Sequence, residues 1–518
     1  MSMQKNLTIL LAILLIFGGL LRIYHIEFGL PHSFYADEPE FSELAIKYTY
    51  EIRDILKNGD YYKLIPISYV YGTLPTYILT LLVMGFSKMS NLFNIPFDKT
   101  TLFIFQRVIT ALTSTFLIFI GAHLYKATIN NKSWFGFATT AGLLALNWKL
   151  IVHAHYVNAD IFLSLFIALS IYYLAKYLEK EISTGQLVLS ALFFGAAAGT
   201  KITAMITFPL HLALILWKKD YRGAIAYGFI VFGIFALTNP FSVIFAQDFA
   251  YRVFTLSSKE AGLVFDSVDL SVTKYIEALI FMATPVFFIT SLYGMYTALK
   301  ERVNGNKNVL LMGTILIYLL FFTFQSRRID RWLLPILPLI LVYTAAGLEK
   351  LKTEFKFRKV LLTVVIAGGF QYAFYIGLLL SQFQRNTPKS EAYLWAKENL
   401  PATSTKLAYT EEGLDPLNKL PYSRVRKFEV YASENAQFFM PEEPYLYDYV
   451  IISSRPMENF KKPEVKKQYP FYYARWKSFE ETLQDTSKFE LVKDFTVSKP
   501  NLIPLSDVFI YKRITGNL

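Results

Sequence analysis

The chain contains no cysteine. That absence excludes disulfides, thiolate zinc sites and cysteine nucleophiles, and it leaves the redox compartment unread. Charge is also scarce. Asp, Glu, Lys and Arg make up 18% of the residues, against roughly 25% in an ordinary soluble domain. No segment is of low complexity and no half of the sequence repeats the other; the missing repeat weakens a transporter reading, because many transporters are built from duplicated halves. What is present instead is apolar and aromatic. Of 518 residues, 54% are hydrophobic and 17% are Phe, Trp or Tyr, and the mean hydropathy is +0.34. A disordered chain, a fibrous repeat and a typical cytosolic enzyme are thereby excluded. The net charge of +12 would suit nucleic acid in a polar protein. In an apolar one it suits basic loops gathered on one side of a membrane.

A bilayer core of about 30 Å needs roughly 20 apolar residues in a helix. Eleven such stretches are expected: Leu7–Tyr24, 101–125, 133–152, 159–178, 187–201, 203–217, 222–240, 274–298, 309–325, 332–348 and 360–380. The first is too long for a removable signal peptide and lacks a small-residue cleavage site. Alternate loops differ in basic content. Lys5, Lys126, Lys132, Lys180, Lys218, Lys219, Arg222, Lys300, Arg302, Lys307 and the run Lys350–Lys359 fall in one set, which the positive-inside rule makes cytoplasmic. The N-terminus is then inside. The other set, including a long first outer loop at 25–100, faces out. Within that loop, Phe41, Leu44, Ala45, Tyr48, Ile52 and Ile55 have the spacing of an amphipathic helix lying on the membrane surface. Leu74–Met89 is apolar but short, as an interfacial or re-entrant helix would be.

Residues 382–518 differ in kind. They hold no spanning stretch and are rich in charge, Pro and Tyr. Ser390–Leu400 and Trp476–Leu483 read as helices; Lys406–Thr410, Tyr447–Ser453, Phe489–Phe495 and Asp507–Arg513 read as strands. The expected fold is thus mainly α: a polytopic helical membrane domain over 1–381, followed by a small extracytoplasmic α/β domain over 382–518.

Ionisable residues near membrane spans are costly and tend to mark function. In this topology Asp37 and Glu38 follow the first span, Arg107 lies near the outer end of the second, and His153, His155 and Asp160 surround a short outer loop. Lys201 sits at an outer turn, and Arg327, Arg328, Asp330 and Arg331 precede the tenth span. Each has a plainer reading. Asp37 and Asp160 can cap helices, Arg107 and Lys201 can snorkel to headgroups, and the arginine loop can bind anionic lipid. The His-x-His pair is a weak zinc signal without a third ligand. Their convergence on one face describes a polar cavity holding both acids and bases. Sugar transfer from a phosphate-linked lipid fits it. A carboxylate takes the proton of an attacking hydroxyl, and cations stabilise the charge that grows on the leaving phosphate. A single displacement inverts the anomeric carbon and needs only one catalytic carboxylate, unlike hydrolytic glycosidases.

The segment Phe34-Tyr35-Ala36-Asp37-Glu38-Pro39-Glu40-Phe41, directly after the first span, resembles the Asp-Glu loop of GT-C glycosyltransferases, especially protein O-mannosyltransferases and lipid A aminoarabinose transferases. His153–Asp160 resembles the second outer loop of that group, Gly195–Lys201 its Gly/Ala-rich Thr-Lys turn, and Arg331–Pro338 its Arg-Tyr-x-x-Pro-x-x-Pro segment, with Trp332 in place of Tyr. Tyr71-Gly72-Thr73-Leu74-Pro75 loosely resembles its Pro-rich turn. The resemblance covers about 1–381. It implies an inverting transferase that uses a polyprenyl-phosphate-linked sugar donor outside the cytoplasm of a plasma membrane, in contact with membrane lipid and without nucleic acid. It implies Asp37 as the base, assisted by Glu38, and Lys201, Arg107, Arg331 and Arg328 as cations for the donor phosphate. Asp160, His155 and Tyr71 would line the cavity. Two motifs are missing. The tail has no Trp-Trp-Asp-Tyr-Gly segment, which argues against an oligosaccharyltransferase. No Asp-x-Asp occurs, which favours a metal-independent monophosphate donor, requires no cofactor and leaves a divalent ion as an optional addition. The sugar stays open, as does the choice among protein, glycolipid and glycan acceptors. A polytopic transporter or lipid flippase is the alternative.

Overall fold

The structure is a computed structural model that describes residues 2–31, 35, 37–66, 71–179, 183–258, 273–325, 329–354, 358–401, 404–410, 414–428, 443–497, 499–503 and 505–514. Helix α1 (Ser2–Ile23) leads through a loop into α2 (Glu38–Asn58) and α3 (Leu74–Phe93). Then follow α4 (Lys99–Thr128), α5 (Trp134–Leu146), α6 (Trp148–Ala154), α7 (Ala159–Tyr177), α8 (Thr184–Thr200), α9 (Phe208–Trp217) and α10 (Tyr221–Thr238). Two shorter helices, α11 (Pro240–Ile244) and α12 (Ala246–Ser258), precede α13 (Thr273–Ala283), α14 (Pro285–Lys300), α15 (Gly305–Thr323), α16 (Leu337–Thr353) and α17 (Arg358–Phe383).

Among the described residues, six helical segments are long and apolar enough to cross a membrane, or eight if each of two bent pairs counts as one span. The expected count of eleven is lower in this stricter sense because three apolar segments, Leu7–Ile23, Thr184–Thr200 and Ile202–Trp217, are short, and two are broken. The pair α5–α6 bends by 53° where Asn147 ends one helix and caps the next, its Oδ1 accepting from Leu150 N at 3.1 Å. The pair α13–α14 bends by 106° at Thr284, whose φ is +70°, before Pro285.

The bundle core centres on α16, whose residues 337–348 are all buried. A helix apolar all round belongs inside. It crosses α14 at backbone contact: a Cβ on Gly294 would lie 2.0 Å from Tyr343 O, and one on Gly347 would lie 2.3 Å from Thr290 O. Small residues permit such close approach between membrane helices. By contrast α17 is peripheral, with Leu362, Ile366 and Phe370 more than 60% exposed, as a lipid-facing helix requires. Helix α2 buries Phe41, Ala45, Tyr48 and Ile55. The first two join Leu79 of α3 with Val157 and Ala159 in one cluster, so this face packs on protein rather than lying on a lipid surface.

The tail is a five-stranded mixed sheet. After α18 (Pro388–Asn399) come β1 (Lys406–Thr410), β2 (Arg424–Phe428), β3 (Tyr449–Ser453), α19 (Ser454–Phe460), α20 (Pro463–Gln468), α21 (Pro470–Gln484), β4 (Phe489–Phe495) and β5 (Val508–Arg513). The strand order is β2-β1-β3-β5-β4, with β1 parallel to β2 and β3, and β5 antiparallel to β3 and β4. Strand β2, Arg-Val-Arg-Lys-Phe, is an edge strand carrying basic side chains. Charged edges are common protection against stray pairing, and they erase the apolar pattern by which a strand is read.

Candidate functional site

Asp37 stands at the N-cap position of α2, yet its side chain makes no capping bond. It instead accepts a hydrogen bond from Tyr71 Oη at 2.8 Å and pairs with Arg331. Arg331 Nη2 also reaches Tyr71 Oη at 3.2 Å, and its Nε lies 3.8 Å from Asp160 Oδ2. The other Asp160 oxygen accepts from Lys201 Nζ at 2.9 Å. Asp37, Tyr71, Arg331, Asp160 and Lys201 thus form one connected network drawn from five separate parts of the chain. Burial grades across it. The Asp37 side chain is 27% exposed and that of Arg331 13%, while those of Lys201 and Asp160 are 5% and 2% exposed.

Local structure explains each placement. Asp160 does not cap α7, because Asn158 does so, its Oδ1 accepting from Ile161 N at 3.1 Å. The Asp160 carboxylate is therefore free for Lys201. Lys201 ends α8 with extended backbone, and its ammonium lies 5.5 Å from the Tyr71 ring centroid and 5.9 Å from that of Trp332. Tyr71 is set by a docked turn. Gly72 N donates to Thr200 O at 2.9 Å, and Thr73 N donates to Asn239 Oδ1 at 2.8 Å. Asn239 Nδ2 in turn donates to Gly199 O at 3.2 Å. A Cβ at position 72 would sit 1.9 Å from Gly199 O, so only glycine allows this approach. Burial, followed by the charge of Asp37, pushes the Tyr71 phenol well above its ordinary range, so it stays a donor to Asp37.

Arg107, expected at the donor phosphate, and Glu38, expected to assist Asp37, stand apart from this network. Both side chains are fully buried and paired with each other. Arg107 Nε and Nη2 donate to the two Glu38 oxygens at 2.7 and 2.6 Å, and Nη1 donates to Ile26 O and Phe28 O, each at 2.8 Å. Glu38 Oε1 also accepts from Val157 N at 3.1 Å. A bidentate arginine saturated in this way is a clamp. It ties the loop after α1 to α2, α4 and the loop before α7. His155 likewise stands apart from the network. It is fully buried, with its ring nitrogens 2.7 and 2.8 Å from Ile151 O and Tyr24 O and its ring stacked on Phe383 at 3.8 Å. Arg328 lies outside the described residues.

Four contributors escaped the sequence reading. Asn239 docks the Tyr71 turn. Tyr35 carries the Arg331 guanidinium 5.1 Å over its ring and stacks on Tyr156 at 3.8 Å. Lys149 pairs with Asp330 beside Arg331. Glu40, one turn beyond Asp37, is pushed up to about 7 by burial and then by the negative charge of Asp37. Only Glu40 had a chemical signal, as the third acid of the Phe34–Phe41 segment. Among the described residues, no group of three or more His, Cys, Asp or Glu side chains could hold a metal ion.

Chemically, the network offers a partly exposed carboxylate, a partly exposed guanidinium held beside it, and a more deeply buried acid–base pair behind. The Alg9-like mannosyltransferase family matches residues 271–397 of the chain. No curated protein sequence matches it. Solved structures share its fold over nearly the whole length. ArnT from Cupriavidus metallidurans in the apo state superposes with a TM-score of 0.56 at 12% identity, covering 98% of each chain; the same protein bound to undecaprenyl phosphate gives 0.55. An oligosaccharyltransferase from Archaeoglobus fulgidus in the apo form gives 0.58 at 12% identity, over 95% of this chain and 80% of that one. The fold is that of the GT-C membrane glycosyltransferases. Within it, the segment from 271 to 397, which contains Arg331, carries the mannosyltransferase family match.

Proposed function

We propose that the protein is an inverting glycosyltransferase that takes a sugar from a polyprenyl-phosphate carrier and moves it to a hydroxyl on the outer face of a plasma membrane. The glycosyltransferase class follows the family segment and the fold; the donor, the reaction course and the side of the membrane are our reading. The orientation of Asp37 carries it: an acid at a helix start that leaves its cap unfilled and faces a tyrosine and an arginine instead. The carrier is supported by a structural neighbour that binds undecaprenyl phosphate. The outer face is supported by the basic loops on the opposite side.

In this reading the phosphate of the donor competes with Asp37 for Arg331. As Arg331 turns to the phosphate, the Asp37 carboxylate is released from its cation and faces the acceptor hydroxyl. The acceptor oxygen attacks the anomeric carbon, its proton passes to Asp37, and the carbon–oxygen bond to phosphate breaks with its electron pair going to the phosphate. Arg331 holds the growing charge, with Lys201 behind it partly neutralised by Asp160. The Arg107–Glu38 clamp positions Asp37 and does not contact the donor. The protein's own groups complete this step, and a divalent ion is an optional addition.

Asp37→Asn keeps size and hydrogen bonding while removing the base. Transfer from a polyprenyl-phosphate sugar in detergent should fall by about 10²- to 10⁴-fold, the usual worth of a general base, with the fold intact. Full activity in a folded Asp37→Asn protein would overturn the assignment. Transfer by the wild type in detergent, with no gradient or second compartment, also excludes a pure transporter or flippase.

A further inference from the structure

The loop that joins β4 to β5 leaves the sheet of the soluble domain. At its base Asp507 Oδ1 accepts from Val497 N at 2.7 Å, and the Asp507 backbone pairs with Ser454. At its tip Asn501 Nδ2 donates to Leu505 O at 3.0 Å. Gln382, in the last turn of α17 and 4% exposed, grips the loop through both ends of its amide. Its Nε2 donates to Pro500 O at 2.8 Å, and its Oε1 accepts from Leu502 N at 3.2 Å. Two hydrogen bonds from one amide fix where the loop sits, not merely that it sits somewhere. Leu502 and Ile503 are 4% and 0% exposed. They belong to an apolar cluster of the membrane domain that contains Phe28, Tyr35, Tyr156 and Phe383.

That cluster reaches the candidate site by two routes. Tyr35 stacks on Tyr156, and the Arg331 guanidinium lies 5.1 Å over the Tyr35 ring. Phe28 packs edge-on against Phe383 at 5.3 Å, and its carbonyl accepts from Arg107, which grips Glu38 beside Asp37. Tyr35 belongs to no helix or strand. Its carbonyl accepts from Glu38 N at 3.2 Å, and the orientation of its ring depends on what packs around it.

We propose that the 500–503 loop of the C-terminal domain is a positioning element for the candidate site, with Leu502 and Ile503 backing the Tyr35–Tyr156 platform that seats Arg331. The part concerning the donor rests on the function proposed above. The soluble domain then does more than ride on the membrane domain: it completes the packing behind the cation that meets the phosphate. Its removal would be felt as misplacement of Arg331, not only as loss of a surface.

The test uses full-length protein in detergent. Ile503→Ala opens a void in the cluster, and Ile503→Leu nearly conserves volume. Leu483→Ala is the control, since Leu483 is 2% exposed in a separate core of the same domain. Undecaprenyl phosphate is the binding probe, and hydrogen exchange over residues 329–337 reports on the Arg331 segment without any ligand. Ile503→Ala should weaken probe binding by about 3- to 30-fold, the worth of one cation–π seat. It should also speed exchange over 329–337, while Ile503→Leu restores both and Leu483→Ala changes neither. The proposal falls if Ile503→Ala leaves exchange over 329–337 unchanged, or if Leu483→Ala raises it equally. A wild type that does not bind the probe overturns the donor reading instead, and the exchange comparison still decides the positioning role.

Discussion

Two arginines that look alike in sequence should respond in opposite ways to substitution. Arg107 donates two hydrogen bonds to Glu38 and two to backbone carbonyls, and both partners of the ion pair are fully buried. Removing one partner of such a pair strands a buried charge and costs about 3–5 kcal/mol. Set against a typical total stability of about 5–15 kcal/mol, Arg107→Ala should leave a poorly folded protein. Lysine should not rescue it, because a point charge cannot reproduce a planar fork that serves two oxygens and two carbonyls at once. Replacing both partners together, as in Arg107→Met with Glu38→Leu, should recover most of the loss, since an apolar pair of similar volume leaves no charge stranded. Arg331 pairs with Asp37 where both are partly exposed. Arg331→Ala should therefore cost less stability than Arg107→Ala while sharply reducing transfer. The assays are denaturant unfolding in mixed micelles followed by tryptophan fluorescence, and initial transfer rates against donor concentration. If Arg107→Ala proved as stable as the wild type but raised the donor KM, Arg107 would face the donor and the clamp would be refuted.

The docking of the Tyr71 turn gives a second prediction. Gly72→Ala must push residues 71–73 off Gly199, and Asn239→Ala removes the side chain that bridges Thr73 and Gly199, stranding buried polar groups at about 1–3 kcal/mol. Both should lower transfer more than Asn239→Asp, which keeps the acceptor for Thr73 N, and equal rates in all three would contradict the docking. Glu40 gives a pH dependence. Its folded-state value of about 7 lies above the ordinary 4.5, so the folded protein holds this proton to higher pH than the unfolded chain does. Stability from this group is full below about 4.5 and is lost as pH rises through about 7. Denaturant midpoints near pH 5 and pH 8 should show that slope in the wild type and a flatter one in Glu40→Gln, which should be the more stable at the higher pH; parallel slopes would sink the assignment.

The spans were legible because a bilayer core demands long apolar runs whatever else the chain does. Their breaks were harder to read. Asn147 and Thr284-Pro285 are ordinary punctuation in a soluble protein, but inside an apolar stretch the average over twenty residues hides them. The soluble domain was readable where strands alternate or run apolar, as in β1, β3, β4 and β5. It was unreadable at β2, where Arg424, Arg426 and Lys427 occupy an edge that must discourage further pairing.

The site shows a more basic limit. Residue type and topology brought Asp37, Asp160, Lys201 and Arg331 to one face, because charge beside a membrane is rare enough to be noticed, whereas Tyr71 entered only through the family resemblance. The same logic brought Arg107 and His155 with them, although their partners include the carbonyls of Ile26, Phe28, Ile151 and Tyr24. Every residue carries a carbonyl, so such partners leave no mark on a sequence. An arginine that will clamp a loop therefore reads the same as one that will meet a phosphate. Depth separates them: a guanidinium that finds a carboxylate and two carbonyls can afford full burial, whereas one that must exchange partners during a reaction has to keep a path to solvent. Arg331, 13% exposed beside an Asp37 that is 27% exposed, keeps such a path, and Arg107 does not.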